Sequence, residues 1–141
     1  MTVTPTIRAA LPDEAEALLA LWREADAAPS VSDDVESIRR LIARDPDALL
    51  VAEEDGRLVA SLIVGWDGWR AGLYRLAVAP AHRRRGVASA LVEAAEDRLR
   101  VLGARKVAAN VIAEHDHAVG FWAAGGYEHE ERVGRWTKRL G

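Results

Sequence analysis

The stretch His82-Arg83-Arg84-Arg85-Gly86-Val87-Ala88-Ser89 decides the fold, because it lies between an apolar run and an amphipathic segment. The run before it, Leu73 to Ala79, is apolar and branched enough for a buried strand, and Pro80 ends that strand because proline lacks a ladder donor. After Gly86 the apolar residues recur about every 3.6 positions, which predicts a helix that Gly103 caps. The pattern therefore predicts a strand, a basic glycine turn and a helix start.

The first amides of this helix predict an anion site. The N–H groups of residues 84 to 89 lack helical carbonyl partners and lie at the positive end of the helix dipole. Gly86 has no side chain to keep an anion from the backbone, so a pyrophosphate could accept several of these N–H groups together. A solvated arginine turn is the plainer interpretation, but the preceding strand and the following helix favour the anion site.

Composition bounds the function. A chain of 141 residues fits a single domain, residues 1–141. Its net charge of -3 argues against nucleic-acid binding, and only the basic run Arg83 to Arg85 favours that alternative. The absence of cysteine excludes disulfides, thiolate metal sites and a cysteinyl acyl-enzyme. Met1 to Pro5 shows no leader pattern, and no apolar run has the length of a membrane span, so a cytoplasmic protein is expected.

The order of the predicted elements indicates a mixed α/β fold. Asp55-Gly56 between two apolar runs is a strong hairpin signal, and Ser32 to Asp34 offer a helix cap. The predicted elements are strands at 6–9, 48–53, 58–66, 73–79 and 105–111, helices at 12–27, after 34, at 86–103 and at 116–124, and two final antiparallel strands within 127–140.

Two motifs resemble those of the GNAT superfamily of N-acetyltransferases. Arg83 to Ala88, after a strand reading L-A-V-x-P, is similar to the family's acyl-CoA signature R-x-x-G-x-A. A second set resembles the A-x-x-F-Y-x-x-x-G-F of the family's last helix: Ala118, Phe121, Trp122, Gly126 and Tyr127. The resemblance covers residues 5–140. It implies a mixed, mostly antiparallel central sheet flanked by helices, with the fourth and fifth strands splayed to admit a pantetheine arm.

The resemblance also implies acetyl-CoA as co-substrate, with no metal. The strand edge at Leu76 to Val78 would bind pantetheine through backbone hydrogen bonds, and the Val78 N–H would polarise the thioester carbonyl. The implied cofactor-binding residues are Leu76, Ala77, Val78, Arg83, Arg84, Arg85, Gly86, Val87, Ala88, Ser89, His115, Phe121 and Trp122.

The proton chemistry departs from the family pattern. The tyrosine of the family's F-Y pair is Trp122 here, and the glutamate of its fifth strand is Asn110, so the usual acid and base are missing. The candidates that remain are Tyr74, His115 and Tyr127, or a water relay.

Acceptor contacts are predicted from a loop and a helix start. Trp66 and Trp69 lie in a glycine-rich loop and could line an acceptor pocket, although tryptophan more often packs in a core. Asp33 and Asp34 could meet a cationic acceptor, or they are only partners of a helix dipole. The histidines near residue 116 lack a third metal ligand at a motif spacing.

The resemblance therefore implies an N-acetyltransferase that transfers acetyl from acetyl-CoA to a primary amine of a small molecule or peptide, by direct attack in a ternary complex. The alternatives are a transferase for another acyl-CoA, such as succinyl-CoA, and a non-catalytic acyl-CoA binding or sensing module. No nucleic-acid or membrane partner is expected. The sequence leaves the choice between a monomer and a homodimer open.

Overall fold

The computed structural model describes residues 4–112 and 114–141. Within it the chain forms two compact units, Met1–Asn110 and Val111–Gly141, each described by itself below.

The first unit contains a five-stranded sheet, whose strands lie side by side in chain order: β1 Thr6–Ala9, β2 Leu49–Glu54, β3 Arg57–Trp66, β4 Ala71–Val78 and β5 Val107–Ala109. Neighbouring strands are antiparallel except for β4 and β5, which are parallel, so the sheet is mixed as predicted. Asp55 and Gly56, with φ of 51° and 76°, form the predicted tight turn between β2 and β3.

The helices follow the sequence signals closely. The cap predicted among Ser32 to Asp34 is Asp34, whose side chain accepts from the Ser37 amide at 2.7 Å. The α-helices among the described residues are α1 Ala15–Glu24, α2 Val35–Arg44, α3 Val87–Leu102 and α4 Asp116–Ala124. Among the described residues, no helix is both long and apolar enough to span a bilayer.

The core lies on both faces of the sheet. On one face α1 and α2 pack against a set that includes Leu49, Val51 and Ala77. Because side chains alternate along a strand, Leu62 and Val64 of β3, both fully buried, face away from that set. Helix α3 packs against β2, β3 and β4.

Several predicted boundaries, and the two final strands, are wrong. The first helix ends at Glu24 instead of Ala27, because Asp26 is left-handed with φ of 57°. Strand β5 begins after Arg105 and Lys106, which are exposed charged residues, and ends before Asn110. The segment 127–140 contains no strand: residues 128–140 are all exposed and many are charged, so no face of a strand would be buried there.

Candidate functional site

The backbone amides of the basic turn are left without acceptors in the described part of the chain. Arg84 and Gly86 have left-handed backbone conformations, with φ of 63° and 79°, and Gly86 is the N-cap of α3. The first helical bond runs from the Ala90 amide to the Gly86 carbonyl, and the amides of residues 84 to 89 meet no hydrogen-bond acceptor in the described part of the chain. Successive free amides at a left-handed turn and a helix start form a concave site for an anion.

The three arginines of the turn differ in their contacts. Arg83 donates from Nε to the Val78 carbonyl at 3.2 Å and from Nη2 to the Ala25 carbonyl at 2.8 Å, so its side chain ties β4 to the end of α1. Arg84 and Arg85 are exposed, and Arg85 borders a small cleft of about 60 Å³ beside Gly86. Arg84 and Arg85 are therefore the side chains placed to screen the charge of a bound anion.

The end of β4 offers an unpaired strand edge. Strands β4 and β5 pair only as far as Leu73 opposite Ala109, so β5 does not extend along the rest of β4. The Ala79 amide donates to the Val59 carbonyl of β3 at 2.8 Å. Because amides alternate in direction along a strand, the Val78 N–H points to the other edge of β4. Within the first unit no strand pairs with β4 at the edge predicted to bind pantetheine, where the Val78 carbonyl accepts a hydrogen bond from Arg83 Nε.

A β-bulge lies just before this edge, and the sequence did not predict it. The β3–β4 register passes from Ser61 opposite Ala77 to Ile63 opposite Tyr74, so Arg75 and Leu76 together oppose Leu62. Arg75 is left-handed, with φ of 54°. Glycine is the usual residue at the left-handed position of such a bulge, so a glycine at position 75 would have predicted it, whereas the sequence has arginine there.

The predicted acceptor carboxylates have partners within the first unit. Arg75 Nη2 donates to both carboxylate oxygens of Asp33, at 2.8 and 2.7 Å, and the Ser30 amide donates to one of them at 2.9 Å. Asp34 caps α2, and the Ser37 amide lowers the pKa of its carboxyl. An acceptor role for Asp33 stays a prediction, and a cationic acceptor would have to compete with Arg75.

Tyr74 leans back along its own strand. Its ring lies over Gly72 and, on the neighbouring strand, Gly65, and about half of the side chain is exposed. Its hydroxyl therefore lies towards the start of β4, and an acid role for Tyr74 stays a prediction.

Trp66 is the last residue of β3, and Trp69 lies in the connection between β3 and β4. Trp66 pairs with Ala71, seven residues before Val78, which is about 23 Å at ~3.3 Å per residue. Trp69 is 76% exposed, with the Arg70 guanidinium 4.2 Å from its ring centroid. The structure therefore does not bring the two tryptophans together with the amides of the basic turn, and their acceptor role stays a prediction.

The second unit holds the remaining predicted residues. The ring centroid of Trp122 lies 4.8 Å from that of Tyr127 and 5.3 Å from that of Phe121, both in edge-to-face packing. The cofactor role of Phe121 and Trp122 and the catalytic role of Tyr127 stay predictions. His115 precedes α4 and stacks on His117 at 5.7 Å. Ala113, within the predicted fifth-strand motif, lies outside the described residues. No group of three or more acidic or histidine side chains among the described residues is placed to hold a metal ion.

Known proteins match both the sequence and the fold. Residues 15–127 match the model of the acetyltransferase (GNAT) family. An acetyltransferase of Sodalis glossinidius is 34% identical over 91% of this chain and 90% of its own length. An acetyltransferase of Pectobacterium atrosepticum is 36% identical over 82% of each chain.

Solved structures with the same fold include three acetyltransferases of low sequence identity. The PaiA N-acetyltransferase of Thermoplasma acidophilum, in complex with coenzyme A, has a TM-score of 0.79 at 19% identity, covering 94% of each chain. An aminoglycoside 6'-N-acetyltransferase of Acinetobacter haemolyticus has a TM-score of 0.75 at 21% sequence identity, and the match covers 96% of this chain and 99% of that one. The ribosomal-protein-S18-alanine N-acetyltransferase of Escherichia coli has a TM-score of 0.73 at 21% sequence identity, and the match covers 86% of this chain and 76% of that one. The chain belongs to the GNAT family of acetyltransferases.

Proposed function

We propose that this protein is an acetyl-CoA-dependent N-acetyltransferase that acetylates a primary amine of a small molecule or peptide by direct attack in a ternary complex. The observation that carries the proposal is the row of free amides at residues 84 to 89 beside the open edge of β4. A diphosphate on those amides would lead its pantetheine arm along the strand edge.

The turn fits a diphosphate sterically as well as electrostatically. A Cβ placed on Gly86 would meet nothing within 4 Å, so the space in front of this backbone is open. Amides, the helix dipole and the exposed Arg84 and Arg85 all favour negative charge there. The proposed cofactor contacts are therefore the backbone of the turn and of Leu76 to Val78, with the arginines adding screened charge.

The Val78 amide would act at the reacting carbonyl. When the acceptor nitrogen bonds to the thioester carbon, the carbonyl oxygen gains negative charge, which the Val78 N–H would stabilise. The carbon–sulfur bond then breaks, the thiolate sulfur takes a proton, and the nitrogen loses one. The chain contains no cysteine that could form a thioester intermediate, which supports direct transfer.

Structural neighbours support an amine acceptor. One is named for an aminoglycoside and another for the alanine of a ribosomal protein. An α-amine, with a pKa near 8, is appreciably neutral at about pH 7.5, whereas a lysine with a pKa near 10.4 is only about 0.1% neutral. Since the family's usual base is missing here, a less basic amine is the acceptor proposed.

A broad amine screen tests the proposed function. Each acceptor is incubated with acetyl-CoA, and mass spectrometry and free-thiol release report acetyl transfer. Transfer to an amine supports the proposal. Binding of acetyl-CoA without turnover on any acceptor would favour a non-catalytic acyl-CoA module, and faster transfer from succinyl-CoA would identify another donor. A cytoplasmic location and a homodimer stay predictions.

A further inference from the structure

A buried hydrogen-bond chain joins α1, β3 and β4 behind the open strand edge. The indole Nε1 of Trp22 donates to Ser61 Oγ at 2.8 Å, and Ser61 Oγ donates to the Arg75 carbonyl at 3.0 Å. Ser61 is fully buried and Trp22 is 4% exposed. Buried polar groups are kept only where they are satisfied, so this chain fixes three backbone elements relative to one another.

This series of hydrogen bonds ends on Arg75, the strained residue of the bulge. Arg75 has a left-handed backbone in a position that normally takes glycine, a conformation that persists only when its surroundings hold it. Its side chain is held as well: Nη1 donates to the Ala28 carbonyl at 2.6 Å, and Nη2 bonds to Asp33. The guanidinium carbon lies 5.3 Å from the Trp22 ring centroid. Backbone and side chain of Arg75 thus have separate anchors.

The bulge lies at the point where β4 leaves β5. The last β4–β5 pair is Leu73 with Ala109, and the bulge begins at Arg75, two residues later and before Val78. A bulge bends its strand and increases the local twist. The conformation of Arg75 therefore sets the direction in which the edge at Leu76 to Val78 presents its N–H and C=O groups.

We propose that Trp22 and Ser61 are positioning residues that hold the left-handed bulge at Arg75, and so aim the edge of β4 at the pantetheine arm of an acyl-CoA. This inference rests on the proposed function. It assigns Asp33 and Ala28 the second anchor, through the Arg75 side chain.

The test separates binding at the strand edge from binding at the amide turn. Ser61→Ala and the unsubstituted protein are titrated calorimetrically with acetyl-CoA and with 3′-phospho-ADP, which carries the diphosphate but no pantetheine arm. We expect Ser61→Ala to bind acetyl-CoA about tenfold more weakly, as for a strand-edge interaction worth ~1.4 kcal/mol, and to bind the nucleotide within about threefold of the unsubstituted protein. Trp22→Phe, which keeps an aromatic ring but removes the indole donor, replaces Ser61→Ala if that variant does not fold.

Control variants separate positioning from general loss of stability. Val64→Ala removes buried volume from the other face of β3 and should lower the free energy of unfolding while leaving both affinities unchanged. In an Arg75→Gly background the left-handed conformation no longer needs support, so Ser61→Ala should lose most of its effect on acetyl-CoA. In an Arg75→Ala background, which removes the same guanidinium, the effect should persist.

The outcomes are distinct. If Ser61→Ala lowers the affinities for acetyl-CoA and 3′-phospho-ADP equally, or lowers neither, the positioning role is overturned while the proposed function stands. Equal effects in the Arg75→Gly and Arg75→Ala backgrounds would overturn the role of the left-handed bulge. Absence of binding of either ligand by the unsubstituted protein would overturn both the positioning role and the proposed function.

Discussion

The ring of Tyr74 occupies the space that a side chain on Gly72 would need. A Cβ built on Gly72 would lie 2.6 Å from Tyr74 Oη and 2.9 Å from Tyr74 Cζ, whereas Gly65 on the neighbouring strand leaves 3.1 Å to Cε2. Both glycines have ordinary backbone angles, so their role is to leave room for an aromatic ring.

Gly72→Ala should therefore destabilise the protein through Tyr74. We expect a loss of about 0.5–1 kcal/mol in the free energy of unfolding, measured by denaturant titration, because the half-exposed ring must turn away from its position. In a Tyr74→Ala background the same substitution should cost little. An equal loss in both backgrounds would show that the Tyr74 ring is not what excludes a side chain at Gly72.

Gly86→Asp should abolish binding of acetyl-CoA. The substitution places a carboxylate at the anion site and a side chain at a left-handed position, where φ is 79°. Gly103→Asp is the matched control: it introduces the same group at the other end of α3, also left-handed, with φ of 97°. Calorimetry should find binding retained in the folded Gly103→Asp variant. Retained binding in both variants would contradict the assignment of the turn.

The arginines of the turn should separate into two behaviours. Arg84→Ala and Arg85→Ala remove exposed charge, so acetyl-CoA affinity should fall about two- to fivefold at low salt and less at high salt. Arg83→Ala removes the bonds to the Val78 and Ala25 carbonyls, so its free energy of unfolding should fall by about 1 kcal/mol. Calorimetry at two ionic strengths, with denaturant titration, measures both. A salt-independent loss of affinity in Arg84→Ala would contradict the screening role.

Helix α3, which follows the basic turn, and the turn between β2 and β3 could be predicted, because each depends on local sequence signals. The apolar period between Gly86 and Gly103 is enough to specify α3, and Gly103 has the left-handed conformation expected after the last turn of a helix. Asp55-Gly56 likewise specifies its own turn. In each case one residue type has a strong preference for the conformation that it adopts.

The bulge and its anchors could not be predicted, because they depend on contacts between distant residues. Arg75 carries no sign of a left-handed conformation, and Ser61 lies in an apolar run like any strand serine. The Arg75 and Asp33 pair joins residues 42 positions apart, so Asp33 looked free in the sequence. The two final strands predicted within 127–140 do not form, since residues 128–140 have no buried face.

Glu14→Gln should lower stability near neutral pH but not in acid. Hydrogen bonds from Arg8, at 2.8 Å to each carboxylate oxygen, hold the pKa of Glu14 below its ordinary value. A depressed folded-state pKa means that the ion pair stabilises the protein above about pH 4.3, the unfolded value, and that this contribution is lost as the pH falls through the folded-state pKa.

The loss in Glu14→Gln should be about 1–2 kcal/mol near neutral pH, shrinking towards zero in acid, in denaturant titrations across pH. Glu36→Gln is the control, since Glu36 pairs with Arg40 at an exposed i,i+4 position and should change stability by less than about 0.5 kcal/mol. A loss in Glu14→Gln that does not vary with pH would contradict the ion-pair explanation.

Calorimetric titration of the folded, unsubstituted protein with acetyl-CoA tests most directly whether the amides of residues 84 to 89 hold a coenzyme diphosphate. We expect saturable heat with one molecule bound per chain, and competition by 3′-phospho-ADP, which shares the diphosphate. Absence of heat with acetyl-CoA, or binding that the nucleotide does not displace, would contradict the site.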